Sequence, residues 1–246
     1  MTTYSPRVIA IVPAGGVGLR AGTAYPKQYR LLRGEPMLRW AVKALLADSR
    51  VQEVRVAVAA DDMRAAAALE GLPRTVCRPC GGATRAATVL NALQDANLHA
   101  EDWALVHDAA RPGLPADALA RLIDACLLKK EGGLLAEQVA DTVKRARTGT
   151  DRQAPARVQA SVSRDGLWLA QTPQMFPAGR LQAALSAAGA EAGITDEASA
   201  MELAGYQPLL VPGSIRNFKV TWPEHFGTME QLLGPTTAAP CSVNQQ

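Results

Sequence analysis

The sequence predicts an α/β fold in which helices flank a mostly parallel twisted sheet, and two observations lead to that class. Apolar runs of strand length alternate along the chain with segments of helical periodicity, which is typical of βαβ units. The 246 residues are also enough to bury a large core without help from a metal or a disulfide.

Composition narrows the class of protein further. Apolar residues make up 48% of the chain and charged residues 20%, values that exclude collagen-like, disordered and coiled-coil proteins. The formal net charge of +3 is too small and too dispersed to indicate a nucleic-acid partner. The longest early apolar run, residues 8–14, is too short to span a membrane and no cleavage pattern follows it. We therefore expect a cytoplasmic protein without a membrane partner.

Four apolar runs in the first half of the chain are predicted to be strands. They are residues 8–12, 54–59, 75–77 and 103–106. Helices are predicted where apolar residues recur every three or four positions, at about residues 36–47, 61–69, 84–93 and 115–128. Pro36 suits the first turn of its helix, and Asp61 or Asp62 and Thr84 suit the N-cap positions of theirs.

Residues 139–163 interrupt this alternation. Residues 139–147 and 158–163 alternate as half-exposed strands, and a polar stretch containing Gly and Pro separates them. Such a long hairpin does not fit inside a doubly wound sheet. We therefore expect a projecting β-arm, and exposed strands of this kind usually pack on a partner.

The other segments of the second half return to the α/β pattern. Strands are predicted at residues 133–136, 168–176, 209–211 and 218–220, and helices at residues 178–187, 196–204 and 223–233. Because no linker divides the chain, residues 1–233 are interpreted as a single domain that includes the arm. Residues 234–246 are rich in Pro, Thr, Ala and Gln and are predicted to be a disordered tail.

The four cysteines do not by themselves indicate a cofactor. Cys77 and Cys80 form one Cys-x-x-Cys pair, but a zinc ribbon needs a second pair and a thioredoxin-like site needs a different context. We expect plain reduced thiols at a strand end, with a redox or metal role for this pair as the alternative.

The first segment that carries candidate chemistry is the glycine-rich loop after the first predicted strand. Residues 13–20 place three glycines before Arg20, and Lys27 follows seven residues later. Glycines let backbone N–H groups approach phosphate oxygens, and two cations suit a reaction in which charge accumulates on phosphate. The loop matches neither a P-loop nor a dinucleotide fingerprint. A tight turn with two solvated basic side chains is the alternative interpretation.

The second such segment, residues 107–112, follows the predicted strand at 103–106. Asp108 would lie at the carboxyl edge of the sheet, where open α/β sheets bind ligands, and a carboxylate there suits Mg²⁺. Arg111 could bind a phosphate through two hydrogen bonds. The alternative is a helix-capping Asp beside a surface Arg. His107, adjacent to the strand, is interpreted as structural rather than as a general base.

Seven motifs in a fixed order carry a resemblance to a known family. They are Ala14-Gly15-Gly16-Val17-Gly18-Leu19-Arg20, Pro26-Lys27-Gln28-Tyr29, Val106-His107-Asp108-Ala109-Ala110-Arg111-Pro112, Asp141-Thr142-Val143-Lys144-Arg145, Leu167-Trp168 to Thr172-Pro173-Gln174, Ile194-Thr195-Asp196-Glu197-Ala198-Ser199 and Asn217-Phe218-Lys219-Val220-Thr221. Taken together, they resemble the 2-C-methyl-D-erythritol 4-phosphate cytidylyltransferases of the non-mevalonate isoprenoid pathway. The resemblance covers about residues 7–233.

The resemblance implies a Rossmann-like nucleotidyltransferase fold and a reaction. CTP and methylerythritol phosphate would give the CDP-alcohol and pyrophosphate, with Mg²⁺ as cofactor and Asp108 near the metal. It also implies a homodimer joined by the extended β-arm. No side-chain nucleophile is required, because the substrate phosphate is already ionised and needs only positioning and charge stabilisation.

The same resemblance implies roles for individual residues. Arg20 and Lys27 would stabilise the pentacoordinate α-phosphorus, and Arg164 and Lys219 would position the attacking phosphate. The implied CTP site consists of Ala14, Gly15, Gly16, Gly18, Arg20, Lys27, Gly82, Arg85 and Thr88. The implied site for the alcohol phosphate consists of Asp108, Arg111, Thr142, Arg164, Thr172, Thr195 and Lys219. Thr142, on the arm, would reach the site of the other subunit.

The sequence departs from the family pattern at a few positions. Leu19 replaces a second basic residue, Ala83 stands where an Asp is common, and Thr88 replaces a frequent Ser. The arm is a few residues longer between Arg147 and Arg157. None of these differences removes a charged group that is expected to stabilise the transition state.

Two other functions stay open. A pyrophosphorylase for another alcohol phosphate, such as ribitol 5-phosphate, would share the glycine loop, Lys27 and Asp108. A regulatory module that binds a nucleotide without catalysis is the second, although binding alone requires fewer of the charged residues. Pyrophosphate release with different nucleotides and alcohol phosphates distinguishes all three.

Overall fold

A computed structural model describes residues 4–16, 26–147, 155–188 and 193–234 of the chain. The strands in these residues are β1 (Val8–Pro13), β2 (Leu31–Leu32), β3 (Glu35–Pro36), β4 (Val51–Ala57), β5 (Thr75–Arg78), β6 (Trp103–Val106), β7 (Gly133–Gln138), β8 (Val143–Ala146), β9 (Val158–Val162), β10 (Trp168–Pro177) and β11 (Leu209–Pro212). The α-helices are α1 (Met37–Leu46), α2 (Ala65–Ala68), α3 (Arg85–Ala96), α4 (Ala116–Lys129), α5 (Ala178–Ala188), α6 (Glu197–Leu203) and α7 (Pro223–Leu232).

A seven-stranded sheet organises these elements, in the order β11-β7-β10-β6-β1-β4-β5. The pairs β1–β4, β1–β6, β4–β5 and β7–β11 are parallel. Strand β10 runs antiparallel to both of its neighbours, β6 and β7. The predicted mostly parallel sheet is confirmed, and the reversed β10 brings its own amino end to the carboxyl edge of the other strands.

Helices cover both faces of the sheet, because the residues of β1 point alternately to either side. Val8, Ala10 and Val12 pack into a core that includes residues of α1 and α4. Ile11 packs into a second core that includes residues of α3, α5 and α6. The apolar positions predicted for the first helix, Leu38, Val42 and Leu45, are all fully buried in the first core. Because helices cover both faces, the ends of the strands are left for ligands.

One predicted strand is wrong. Residues 218–220 do not extend the sheet but follow a 3₁₀ turn at Ile215–Asn217. Val220 is buried in a third, smaller core with Leu32, Phe226 and Met229, and its N–H donates to the carbonyl of Ala110 at 2.8 Å. The alternating pattern at 218–220 therefore reflects burial against α7 and not strand pairing.

Helix α2 is shorter than the predicted helix at residues 61–69. The carboxylate of Asp62 accepts hydrogen bonds from the N–H groups of Arg64 and Ala65 at 2.8 and 3.0 Å. These are the bonds that an N-cap side chain makes to the unpartnered amides at a helix start, as predicted for Asp62, although the regular helix is limited to Ala65–Ala68. Thr84 caps α3 as predicted, because its Oγ1 accepts from the N–H of Ala87 at 3.1 Å.

The hairpin predicted around residues 139–163 is partly different from expectation. Strands β8 and β9 pair antiparallel from Val143 opposite Val162 to Ala146 opposite Val158, in a two-stranded sheet separate from the main one. Strand β8 begins four residues later than predicted, because the N–H of Val139 donates to the carbonyl of Leu167 at 3.1 Å instead of pairing with β9. Most residues of both strands are exposed.

Two further expectations concern segments of special composition. Cys77, Cys80 and Cys126 are free thiols, and burial raises the pKa of each one, which lowers the fraction of thiolate. Cys241 and the tail predicted to be disordered, apart from Gly234, lie outside the described residues. In the part of the chain that the structure describes, no helix is both long enough and apolar enough to cross a membrane.

Candidate active site

A cavity of about 710 Å³ lies at the carboxyl edge of the sheet. Its walls come from the segments that follow β1, β5 and β6 and from the start of α3, which is where open α/β sheets bind ligands. The described residues that line it are Pro13, Ala14, Gly15, Gly16, Lys27, Gln28, Gly82, Ala83, Thr84, Arg85, Thr88, Asp108, Ala109, Ala110, Lys219 and Thr221. The segments predicted to carry the chemistry therefore meet in one place.

The side chain of Gln28 holds the glycine loop after β1 through hydrogen bonds to backbone carbonyls. The amide Nε2 of this buried residue donates to the carbonyls of Ala14 at 3.0 Å and of Gly16 at 3.3 Å. Both carbonyl oxygens would repel phosphate oxygens if they faced a triphosphate. Gln28 thus engages the loop carbonyls and favours a loop that presents N–H groups to an anion.

The loop that contains Gly81 and Gly82 packs tightly against its neighbours. A Cβ at Gly81 would lie 2.8 Å from the carbonyl oxygen of Val58, and a Cβ at Gly82 would lie 2.7 Å from the Cβ of Ala87. Thr88 closes this turn, because its Oγ1 accepts from the N–H of Gly82 at 3.0 Å and donates to the carbonyl of Thr84 at 2.9 Å. The Thr88 hydroxyl therefore shapes the loop.

Asp108 is the centre of a charge cluster beside the cavity. Its Oδ1 accepts from Arg85 Nε at 2.9 Å, and its Oδ2 lies 2.8 Å from Lys219 Nζ and 3.6 Å from Arg111 Nε. Burial alone would raise the pKa of Asp108, but Arg85, Lys219 and Arg111 outweigh it and hold this pKa well below its usual range. Asp108 is therefore ionised at neutral pH.

Glu197 joins this cluster, although the sequence predicts no role for it. Its buried carboxylate accepts from Arg85 Nη1 at 2.7 Å and from Nη2 at 3.0 Å. Burial raises the pKa of Glu197, and Arg85 opposes that shift only in part. The available signal was a carboxylate placed directly after the N-cap Asp196, on the buried face of a short helix. Arg85, predicted to bind CTP, donates hydrogen bonds from Nε, Nη1 and Nη2 to the carboxylates of Asp108 and Glu197.

The conformation after β6 is set by a buried hydrogen-bond chain. The Asp108 N–H donates to Thr172 Oγ1 at 2.9 Å, and this oxygen lies 3.1 Å from His107 Nδ1. His107 Nε2 lies 3.0 Å from the carbonyl of Arg111, which can only accept, so Nε2 carries the proton and Thr172 donates to Nδ1. His107 and Thr172 thus position Asp108, in keeping with the structural interpretation of His107.

Two of the predicted cations are anchored by backbone carbonyls. Lys27 Nζ donates to the carbonyl of Val220 at 3.0 Å, which ties the glycine-loop side of the cavity to the segment that carries Lys219. Arg111 donates to the carbonyls of Asn217 at 2.7 Å and of Ala170 at 3.3 Å. Arg85, Arg111 and Lys219 contact Asp108 or Glu197, and Lys27 lines the same cavity, so positive charge is in excess there, which suits a polyphosphate ligand.

Other predicted residues lie elsewhere in the chain. Thr142 and Arg164 are exposed residues near the hairpin, where Arg164 donates to the carbonyl of Ala140, and neither is among the residues that line the cavity. Thr195 is exposed just before α6. Gly18 and Arg20 lie outside the described residues.

The residues present do not form a ready-made site for Mg²⁺. Within the described ranges, no group of three His, Cys, Asp or Glu side chains is arranged to hold a metal ion. Among the residues that line the cavity, Asp108 is the one described carboxylate, and each of its oxygens already faces a cation. A metal ion bound by Asp108 would have to share this carboxylate with Arg85 and Lys219.

Comparison with known proteins agrees with this geometry. The sequence model of the family IspD, 2-C-methyl-D-erythritol 4-phosphate cytidylyltransferase, matches residues 8–234. The protein of that name from Bordetella petrii is 68% identical over 92% of this chain and 98% of its own length, and that from Bordetella pertussis is 61% identical over 93% and 100%. A crystal structure of 4-diphosphocytidyl-2C-methyl-D-erythritol synthase matches with a TM-score of 0.80 at 38% identity, over 94% of this chain and 100% of that one.

The sheet and the basic cavity at its carboxyl edge, together with these likenesses, define a nucleotidyltransferase of the α/β class. Within that class the assignment is narrower, because the family match extends over almost every described element. The chain belongs to the 2-C-methyl-D-erythritol 4-phosphate cytidylyltransferase family. The resemblance indicated by the seven ordered motifs is thereby confirmed.

Proposed function

We propose that this chain transfers the cytidylyl group of CTP to 2-C-methyl-D-erythritol 4-phosphate in isoprenoid precursor biosynthesis. A phosphate oxygen of the alcohol phosphate forms a bond to the α-phosphorus of CTP. The bond from that phosphorus to the bridging oxygen breaks, and pyrophosphate leaves with the electron pair. The observation that carries the proposal is the cavity in which the glycine loop, Lys27, Asp108 and Lys219 meet, in a member of this family.

Charge stabilisation and positioning supply the catalysis. Negative charge accumulates on the non-bridging oxygens as the α-phosphorus becomes pentacoordinate, and fixed cations stabilise it. Lys27 and Arg20 take this role beside the glycine loop, made of Ala14, Gly15, Gly16 and Gly18. Lys219 binds the attacking phosphate and aligns it with the α-phosphorus.

Recognition of CTP involves the loop around Gly82 and the start of α3. Backbone groups of this loop read the cytosine, and Thr88 keeps the loop in shape through its bond to the Gly82 N–H. Arg85 belongs to the wall of the same pocket. Because its nitrogens are bound to Asp108 and Glu197, it acts on CTP by ordering the wall.

The alcohol phosphate binds between two subunits of a homodimer. Asp108, Arg111, Thr172, Thr195 and Lys219 come from one subunit, and Thr142 and Arg164 come from the hairpin of the other. One argument supports this assignment: β8 and β9 form a separate two-stranded sheet, and such a hairpin has little stability without a surface to pack on.

Mg²⁺ binding and a cytoplasmic location complete the proposal. Mg²⁺ commonly keeps several waters and binds substrate phosphates together with one or two carboxylates. The triphosphate of CTP would hold most of its coordination sphere, with Asp108 as the protein ligand while Lys219 keeps its contact with the same carboxylate. Bound in this way, the ion would neutralise part of the triphosphate charge.

Pyrophosphate release tests the function directly. CTP is compared with ATP, GTP and UTP, and methylerythritol phosphate is compared with ribitol 5-phosphate, each as the single variable. We expect rapid release only when CTP is combined with methylerythritol phosphate. Preference for ribitol 5-phosphate would favour a related pyrophosphorylase, and nucleotide binding without any release would favour a regulatory module.

A further inference from the structure

We propose that Glu197 is a positioning residue, which acts through Arg85 and Asp108 to hold Lys219 where the alcohol phosphate must bind. The idea rests on the role of Lys219 given under the proposed function. Glu197, Arg85, Asp108 and Lys219 form a line of alternating charges from the interior to the cavity. Glu197 is fully buried, whereas 43% of the Lys219 side chain is exposed.

The position of Glu197 is fixed by the start of α6. Asp196 caps this helix in a capping box with Ser199. The buried Gln174 of β10 donates from Nε2 to Asp196 Oδ2 at 2.8 Å and accepts from the Ala198 N–H at 2.7 Å. These bonds join the first turn of α6 to the sheet, so the Glu197 carboxylate has a defined place relative to the end of β6.

Arg85 passes this placement on to Asp108. Glu197 binds both terminal nitrogens of the guanidinium, which fixes its plane and directs Nε to Asp108 Oδ1. Arg85 thus takes only one oxygen of Asp108, and Oδ2 is left for Lys219 at 2.8 Å. Without the Glu197 carboxylate, the planar fork of Arg85 can bind both oxygens of Asp108 and compete with Lys219.

The energetics favour an orienting role over a stabilising one. Both members of a buried ion pair lose hydration, so such a pair contributes little more to stability than a well-packed apolar pair would. An apolar pair at these two positions would have no donor to direct at Asp108, whereas Arg85 in the ion pair directs its Nε there. The Glu197–Arg85 pair therefore matches a function in positioning.

A double-mutant cycle of Glu197→Gln and Lys219→Gln tests the inference, with pyrophosphate release as the assay. We expect Glu197→Gln to lower kcat/KM for methylerythritol phosphate about 10- to 100-fold and to change KM for CTP less than about threefold. In the Lys219→Gln background the same change should cost less than about threefold, because the group through which Glu197 acts is already gone. Glu202→Gln removes an exposed carboxylate from the same helix and should leave the kinetics unchanged.

Three outcomes separate this inference from the proposed function. Additive losses in the cycle overturn it, because a structural contribution of Glu197 does not depend on Lys219. An impaired Lys219→Gln variant beside an unimpaired Glu197→Gln variant overturns the role of Glu197 alone. Wild-type kinetics in Lys219→Gln overturn the role of Lys219 given under the proposed function and, with it, the role of Glu197. If Glu197→Gln fails to fold, Glu197→Asp replaces it in the double-mutant cycle. This variant keeps the negative charge, but its side chain is shorter by one methylene, so the carboxylate lies farther from Arg85.

Discussion

His107 shows how burial makes the protonation of one side chain matter for stability. Burial lowers its pKa to about 4 from an ordinary value of 6.5. Between these two pH values the unfolded chain binds more protons than the folded one, so stability falls as the pH falls. We expect this residue to remove up to about 3 kcal/mol from the free energy of unfolding between pH 6.5 and pH 4.

Chemical denaturation of the metal-free protein at several pH values measures this contribution. The His107→Gln variant should lose stability more gradually than the wild type as the medium is acidified, because its side chain does not titrate. Since the carboxylates titrate in both proteins, the difference between the two curves isolates the contribution of His107. Parallel curves would contradict a buried neutral imidazole.

Lys27 follows the glycine loop and lines the same cavity, and its role can be measured. Replacing Lys27 by Ala removes a charge that acts when the α-phosphorus becomes pentacoordinate. We expect kcat to fall roughly 10²- to 10³-fold, or about 3 kcal/mol, with KM for CTP much less affected. Arg20→Ala should behave alike, whereas Lys129→Ala, an exposed lysine at the end of α4, should behave as wild type. A near wild-type kcat with a raised KM in Lys27→Ala would make Lys27 a binding residue only.

Residue positions were predictable from the sequence where a strand delivers them. Gly15 and Asp108 each follow a buried strand, and the carboxyl ends of parallel strands meet at one edge, so both line one cavity. Glu197 was not predictable in this way, because its partner Arg85 lies 112 residues away and the contact depends on how α6 packs. Thr88 and Thr172 were predicted as ligands, but the structure shows that their hydroxyls also hold the local backbone.

At the scale of elements, helix α3 packs so closely on the glycine pair before it that one methyl group should disturb the pocket. A Cβ at Gly82 would lie 2.7 Å from the Cβ of Ala87 and 3.0 Å from the backbone nitrogen of Thr88. In Gly82→Ala the first turn of α3 must therefore move, at a cost of about 1–3 kcal/mol. We expect KM for CTP to rise about tenfold or more and discrimination against UTP to weaken, both measured by pyrophosphate release.

The matched control for this change is Gly227→Ala. A Cβ at Gly227, inside α7, would meet no atom within 4 Å, so the substitution should stabilise the helix by up to about 1 kcal/mol. Unchanged KM for CTP in a folded Gly82→Ala protein would show that the cytosine does not depend on this loop.

Elements with a long, regular pattern were predicted well, and those whose pattern had another cause were not. Helices α1 and α4 and strand β6 lie almost where periodicity placed them. The pattern at residues 218–220 also alternates, yet Phe218 and Val220 pack in the small core beside α7 and the segment comes after a 3₁₀ turn without pairing as a strand. Neither the reversed direction of β10 nor the late start of β8 leaves a mark in the local sequence, because both depend on which strands become neighbours.

At the scale of the whole molecule, the hairpin of β8 and β9 has apolar surface without a covering element in the described chain. Val158 is 65% exposed and Leu169, at the start of β10, is 59% exposed. A second subunit packed on this region would bury these side chains and would bring its own cavity near Thr142 and Arg164. The hairpin thus suits both halves of the proposal, dimerisation and a shared site.

Mixing two inactive variants tests whether each site is composite. In a heterodimer of a Lys27→Ala subunit with an Arg164→Ala subunit, one site carries both defects and the other carries neither. We therefore expect subunit exchange to restore activity to about one quarter of the wild-type value, since half of the dimers are mixed and each has one intact site. Mixing Lys27→Ala with Lys219→Ala is the matched control, because both residues belong to the same half of the site and no intact site can form. If the first mixture stays as inactive as the control although heterodimers are verified, or if the protein is a monomer at assay concentration, Arg164 acts within its own chain and the hairpin does not complete a neighbouring site.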